Sequence, residues 1–133
     1  MQPYYSNIGN RIVKTPKVYF RDTGLCAYLT SWLTPETLEN GAMNGAFFET
    51  FVINEIIKSY INEGKDYKKR IYYYRGKDKI KKKDNGIETF EENEIDLIIE
   101  ENGILYPIEI KKSANPTKEM ISHFKVQIGR AHV

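Results

Sequence analysis

Three charged residues lie inside two apolar stretches that are separated by a short turn. Asp96 falls within segment 94–99, and Glu109 and Lys111 fall within segment 106–112. Burying a charge is costly unless the charge is paired or used for chemistry. Two carboxylates and an ammonium group on one side of a sheet are the groups that hold a divalent metal and a water beside a phosphodiester.

Strand geometry indicates how these residues are arranged. Successive side chains of a strand point to opposite faces, which predicts that Asp96 shares a face with Ile98 and that Glu109 shares a face with Lys111. An Asn-Gly pair at 102–103 is typical of a tight hairpin turn. We therefore expect one hairpin that carries the three charged residues on the same side. The other face would be lined by Ile95, Leu97, Ile99, Ile104, Tyr106, Ile108 and Ile110.

The same residues also permit a purely structural interpretation. Asp96, Glu109 and Lys111 would then form an ion-pair network in the sheet, an arrangement that proteins tolerate but that seldom adds stability. A Glu-x-Lys pair on a strand is by itself a weak signal, common on solvated faces. The pairing with Asp96 favours the metal site, and both interpretations stay open.

The bulk composition sets broad limits on function. A chain of 133 residues fits one domain, and its net charge of +2 gives no overall basic field that would require a nucleic-acid partner. The single cysteine, Cys26, excludes an internal disulfide and a cysteine-based zinc site and suits a reducing compartment. The sequence shows neither a signal peptide nor an apolar stretch long enough for a bilayer. We expect a cytoplasmic protein with no membrane partner.

Local signals predict most of the elements. Asp22 is a typical N-cap for a helix over residues 23–29, and Thr34-Pro35 opens a second helix that ends by Gly41. Residues 44–62 predict a long helix that ends before Gly64. We further expect short β-like pieces at 11–14 and 17–20, strands at 71–75, 94–99 and 104–111, a charged loop at 76–93 and a last helix from Asn115. The residues of the long helix that recur with helical spacing are Phe47, Phe48, Phe51, Val52, Glu55, Ile56 and Ser59. Among them, Glu55 is expected to border solvent or to pair locally.

Four sequence blocks, taken in order, resemble a known family. Segments 14–25, 45–52, 94–97 and 106–111 are similar to domain-of-unknown-function family 4143. That family forms the C-terminal part of many prokaryotic AAA-type ATP-binding proteins and resembles the PD-(D/E)XK nuclease superfamily. The resemblance implies an α/β fold: a restriction-endonuclease-like mixed sheet flanked by helices, incomplete here at the C-terminus.

The resemblance also implies roles for individual residues. Asp96 and Glu109 would bind magnesium, or manganese, together with the main-chain carbonyl of Ile110. Lys111 would orient the attacking water or neutralise charge on the phosphate. Glu49 matches an acidic residue on the first core helix and would bind a water of the metal shell or a second ion. The implied catalytic set is therefore Glu49, Asp96, Glu109 and Lys111.

The implied partners are DNA and an N-terminal ATPase domain of the same protein. Gly76-Lys77 lacks the spacing of a phosphate-binding Walker loop, so ATP would bind only in that N-terminal part. Two functions stay open: magnesium-dependent DNA cleavage, or a catalytically degenerate module that binds DNA or protein and regulates the ATPase.

The chain is expected to divide into three parts. Residues 1–43 would lead into the core as a hairpin and short helices, and residues 44–126 would form the truncated nuclease-like core. Residues 127–133 match the in-frame translation of a common sequencing adapter, and we expect them to be non-native.

Overall fold

The computed structural model describes residues 1–4, 15–80, 89–113, 115 and 117–125, with side chains omitted for residues 77–92, 121–123 and 125. It has a mixed α/β fold, as predicted from the sequence. Two short 3-10 helices, η1 and η2, accompany the main elements. The elements in chain order are β1 (Gln2–Pro3), α1 (Thr23–Leu29), α2 (Pro35–Asn40), α3 (Asn44–Asn62), η1 (Tyr67–Lys69), β2 (Ile71–Ile80), β3 (Thr89–Glu101), β4 (Ile104–Ile108) and η2 (Lys118–Lys125).

The helix boundaries follow local capping chemistry. The Asp22 carboxylate accepts a hydrogen bond from the Leu25 amide and begins α1. Thr34 and Thr37 form reciprocal capping bonds at the start of α2. Gly64, with a φ of 71°, follows the end of α3. The first three of the four predicted helices are thus confirmed.

Within the described residues, the sheet has four strands in the order β1-β2-β3-β4. β1 is parallel to β2, and the β2–β3 and β3–β4 pairs are antiparallel. Asn102 and Gly103 both have positive φ, of 53° and 77°, as a tight hairpin turn between β3 and β4 requires. This turn fixes the register that pairs Leu97 with Ile108.

The β2–β3 hairpin is longer than expected. The prediction of a charged loop over residues 76–93 is wrong, because β2 continues to Ile80 and β3 begins at Thr89. Opposite charges occupy facing register positions at Arg75 and Glu94 and at Lys77 and Glu92, and such pairs stabilise strands that have poor intrinsic propensity. The connecting residues 81–88 lie outside the described residues.

A β-bulge interrupts β3 at the candidate site. Tyr72 pairs with Ile98 and Tyr74 pairs with Ile95, so Asp96 and Leu97 together face the single residue Tyr73. Because of the extra residue, Ile95 packs in the same cluster as Ile98. The expectation that strict alternation groups Ile95 with Leu97 is therefore wrong.

The core lies on both faces of the sheet. On one face α3 contributes Ile53, Ile57 and Tyr60, which pack with sheet residues that include Leu97 and with Ile110. On the other face Phe124 of η2 packs on a cluster that includes Ile98. Phe51 on α3 is half exposed. Glu55 lies at the surface and pairs with Lys58 at 2.6 Å, which confirms the expectation that it borders solvent or pairs locally.

Three smaller expectations also need correction. Residues 17–20 are not a strand, and residues 11–14 lie outside the described part. The last helix is a 3-10 helix, Lys118–Lys125. β4 ends at Ile108, so Glu109, Ile110 and Lys111 follow the strand rather than lying within it.

In the described part of the chain, every helix is too short or too polar to cross a bilayer.

Candidate active site

Asp96 lies at the bulge of β3, and only 8% of its surface is exposed. Its Oδ2 atom accepts a hydrogen bond from the main-chain amide of Ile110 at 2.9 Å. The side chain thus supplies an acceptor to the chain just beyond the end of β4. This bond ties Asp96 to the segment that carries Glu109 and Lys111.

Glu109 is a buried carboxylate with one unused oxygen. Its side chain is 8% exposed, and its Oε1 atom pairs with Lys111 Nζ at 2.7 Å. The Oε2 atom is buried, and no hydrogen-bond donor reaches it from the described residues. A buried charged oxygen without a partner is unfavourable, so this atom is a candidate ligand position.

Lys111 is half exposed and lies in an acidic environment. The hydrogen bond to Glu109 raises the pKa of Lys111 above its ordinary value, and burial opposes this effect. The charges of Glu109, Asp96 and Glu49 raise the pKa further. Lys111 is therefore a stable cation whose pKa is raised by the charges of all three predicted carboxylates.

Glu49 lies on α3 and is held by two residues of the N-terminal segment. The Tyr19 hydroxyl donates a hydrogen bond to Glu49 Oε1 at 2.8 Å. Lys17 Nζ lies 3.7 Å from the same oxygen. Burial, followed by the hydrogen bond to Glu49 and by nearby carboxylates, raises the pKa of Tyr19 well above its ordinary value. Tyr19 therefore remains a neutral donor that fixes the Glu49 carboxylate.

Lys17 also connects Glu49 to β3. Its ammonium group pairs with Glu94, and Arg75 binds the same carboxylate at 2.8 Å. Burial would raise the pKa of Glu94, but hydrogen bonds from Lys17 and Arg75 hold it below its ordinary value. Glu94 is thus an ionised partner that orients Lys17.

Sequence reasoning did not identify Lys17, Tyr19 or Glu94 as site residues. Tyr19 and Glu49 are 30 positions apart, and the contact depends on how segment 15–20 docks onto α3. That docking uses a hydrogen bond from buried Asn54 to the Phe20 carbonyl at 2.6 Å. A polar Asn54 within the apolar sequence of the long helix is the one signal that could have indicated the contact.

Comparison with protein-family models assigns the chain. Residues 44–131 match the family described as "Domain of unknown function (DUF4143)". The chain belongs to this family. Residues 1–36 match a second model, "Domain of unknown function (DUF8612)". Segment 14–25, which is part of the resemblance to family 4143, therefore lies in this second match and before the family 4143 match. The family 4143 match includes part of segment 127–133, which lies outside the described residues.

Two curated mycobacterial proteins are similar to this family 4143 chain. They are "Uncharacterized protein Rv2008c" of Mycobacterium tuberculosis and "Uncharacterized protein Mb2031c" of Mycobacterium bovis, each 30% identical over 117 residues. The alignment covers 88% of this chain but only 22% of each relative. This chain thus corresponds to a small part of much longer relatives. No solved structure matches it.

The donor set of this family 4143 member can be tested against the implied magnesium ion. Across the described ranges, no group of three or more His, Cys, Asp or Glu side chains is arranged to hold a metal. Magnesium commonly uses only one or two protein carboxylates and keeps several waters. The unpartnered Oε2 atom of Glu109, close to the ammonium of Lys111, is consistent with such a hydrated ion.

Proposed function

We propose that the chain is a magnesium-dependent phosphodiesterase module that acts on DNA within a longer ATP-binding protein. The observation that carries this proposal is the buried Glu109 carboxylate, whose Oε2 atom lacks a donor while its Oε1 atom binds Lys111. Asp96 is tied to the adjacent main chain, and its other carboxylate oxygen would complete the ligand set.

The protein residues would divide the work of hydrolysis. A magnesium ion held by Glu109, Asp96 and the Ile110 carbonyl would polarise the phosphate and lower the pKa of a bound water. The Lys111 ammonium would neutralise charge that develops on the phosphate oxygens. Glu49 would accept a hydrogen bond from a water at the site, and its orientation is maintained by Tyr19.

A second candidate function is a catalytically inactive module that binds DNA or protein and regulates an attached ATPase. It is favoured by the direct Glu109–Lys111 ion pair and by the lack of a three-residue ligand group within the described parts. In this case the charged cluster would serve only to hold segment 109–111 against β3.

The Asp96→Asn substitution separates the two functions. The asparagine oxygen can still accept the hydrogen bond from the main-chain amide of Ile110, so the fold should be retained. Thermal stability should stay equal or rise, because the repulsion between carboxylates is removed. In the full-length protein we expect weaker magnesium binding by calorimetry and loss of plasmid cleavage with magnesium or manganese.

The control for this test is Glu55→Gln, which removes a carboxylate from the exposed Lys58 pair on α3. It should change neither magnesium binding nor cleavage. Equal magnesium binding in the Asp96→Asn and unmodified proteins would contradict the metal site and favour the ion-pair interpretation.

A further inference from the structure

A cavity of about 430 Å³ lies beside the candidate active site, between the N-terminal segment, α3 and η1. This volume is within the range of small-molecule binding sites. Tyr19 lines the cavity and also donates its hydroxyl hydrogen bond to Glu49. The cavity and the candidate site therefore share Tyr19, whereas the other residues that line the cavity are not part of the candidate site.

The lining of the cavity combines apolar, aromatic and cationic groups. Buried Ile57 and Ile71 contribute apolar surface, and Tyr67 contributes a second aromatic ring besides Tyr19. Exposed Arg21 and Lys68 contribute positive charge. Among the described residues, none that lines the cavity is acidic. Such a site favours a ligand that has a flat apolar part and an anionic part.

Neighbouring contacts keep the cationic groups available. The Arg21 guanidinium lies over the Tyr67 ring, 5.5 Å from its centroid, an arrangement that orients a guanidinium while leaving its N–H groups free to bind an anion. The carboxylate of the nearby Asp66 accepts a hydrogen bond from the main-chain amide of Lys68. Its Oδ2 atom lies 3.7 Å from Lys69 Nζ.

We propose that this cavity binds a nucleotide. The base would pack against the aromatic and apolar lining, since every base has a flat π face that stacks on tyrosine. The phosphate would bind Arg21 and Lys68, because guanidinium and ammonium groups form strong charge-assisted hydrogen bonds with phosphate. The nucleotide would be either a free mononucleotide or one unit of a nucleic-acid strand. This inference does not depend on the proposed metal site.

Two probes and a matched lysine pair test the proposal. Calorimetry on the full-length protein in EDTA would measure binding of adenosine monophosphate and of a short single-stranded DNA oligonucleotide. Lys68→Ala removes a cation that lines the cavity, whereas Lys69→Ala removes the neighbouring cation, which is 84% exposed and does not line it. Arg21→Ala is the second cavity variant.

We expect Lys68→Ala and Arg21→Ala each to weaken binding of at least one probe by roughly tenfold or more. Lys69→Ala should leave binding within about twofold of the unmodified protein. An effect on adenosine monophosphate identifies a free-nucleotide site, and an effect on the oligonucleotide alone identifies a strand-binding site.

The proposal is overturned if the unmodified protein binds neither probe, or if Lys68→Ala and Lys69→Ala have equal effects. Asp96→Asn provides the remaining control, because it alters the candidate metal site and not the cavity. Probe binding that is lost in Asp96→Asn but retained in Lys68→Ala would place the ligand at the candidate active site and refute the cavity. Failure of DNA cleavage would leave these binding results unaffected.

Discussion

The two carboxylates Glu109, beyond β4, and Glu49, on α3, are both proposed for the candidate site and have different surroundings. Glu109 is almost fully buried, has Lys111 as its partner and keeps one oxygen without a donor among the described residues. Glu49 is more exposed, at 26% of its side chain, and is contacted by both Tyr19 and Lys17. The Glu109 carboxylate therefore has an acceptor oxygen that is not used, whereas the Glu49 carboxylate has an orientation that is fixed by its contacts.

This difference indicates separate roles for the two sides. A buried oxygen without a donor gains most from direct contact with a cation, because desolvation has already been imposed on it. A carboxylate that is hydrogen-bonded and partly hydrated is better suited to orient a water. We therefore expect substitutions at the two positions to have effects of different size on metal binding.

The largest effect is expected for Glu109→Gln compared with Glu49→Gln. Replacing Glu109, the proposed direct ligand, should weaken magnesium binding by at least about tenfold, whereas replacing Glu49, proposed to act through a water, should weaken it by less than that. Calorimetric titration of the two variants with magnesium measures both values. Equal losses would show that the two carboxylates do not differ in role.

An intermediate effect is expected for Tyr19→Phe, with Tyr60→Phe as its matched control. Tyr60 donates to Glu101 at 2.8 Å, the same bond type and length as Tyr19 to Glu49. Each change should lower the free energy of unfolding by about 1 kcal/mol, measured by urea denaturation. Only Tyr19→Phe should also weaken magnesium binding, and a similar loss in Tyr60→Phe would rule out a specific effect on Glu49.

The smallest effect is expected from the pH dependence of Glu94. Its pKa is lower in the folded protein than the ordinary value of 4.5, against the effect of burial, because Lys17 and Arg75 bind the ionised form. Its contribution to stability is therefore present above pH 4.5 and is lost as the pH falls through the folded pKa.

Melting temperatures measured from pH 6 down to roughly pH 3, the range in which carboxylates titrate, should show this loss. Glu94→Gln should reduce the slope of the melting temperature with pH. An unchanged slope would mean that ionised Glu94 gains no stability from its contacts with Lys17 and Arg75.

The parts that local chemistry determines were predictable. Caps at Asp22 and Thr34 and the turn at 102–103 each depend on a few adjacent residues, so the helices and the β3–β4 hairpin follow from sequence. The proximity of Glu109 and Lys111 also follows from their spacing.

The remaining features depend on contacts between distant segments. The bulge at Asp96 could not be predicted from the sequence, because the alternation of residues there is also compatible with a regular strand. The Tyr19–Glu49 bond requires the docking of segment 15–20 onto α3. The extension of β2 and β3 depends on pairing between strands whose individual propensities are low.

The hydrogen bond between Asp96, at the bulge, and Ile110 limits the changes in chain length that the protein can accept. Between Asp96 and Ile110, the turn at 102–103 and the paired register set how the two strands align. An insertion or deletion there would move one partner of the Asp96–Ile110 bond. The connection between Ile80 and Thr89 lies at the far end of the β2–β3 pair, beyond the bulge. Natural variants should therefore differ in length at that connection and keep a constant spacing between Asp96 and Ile110.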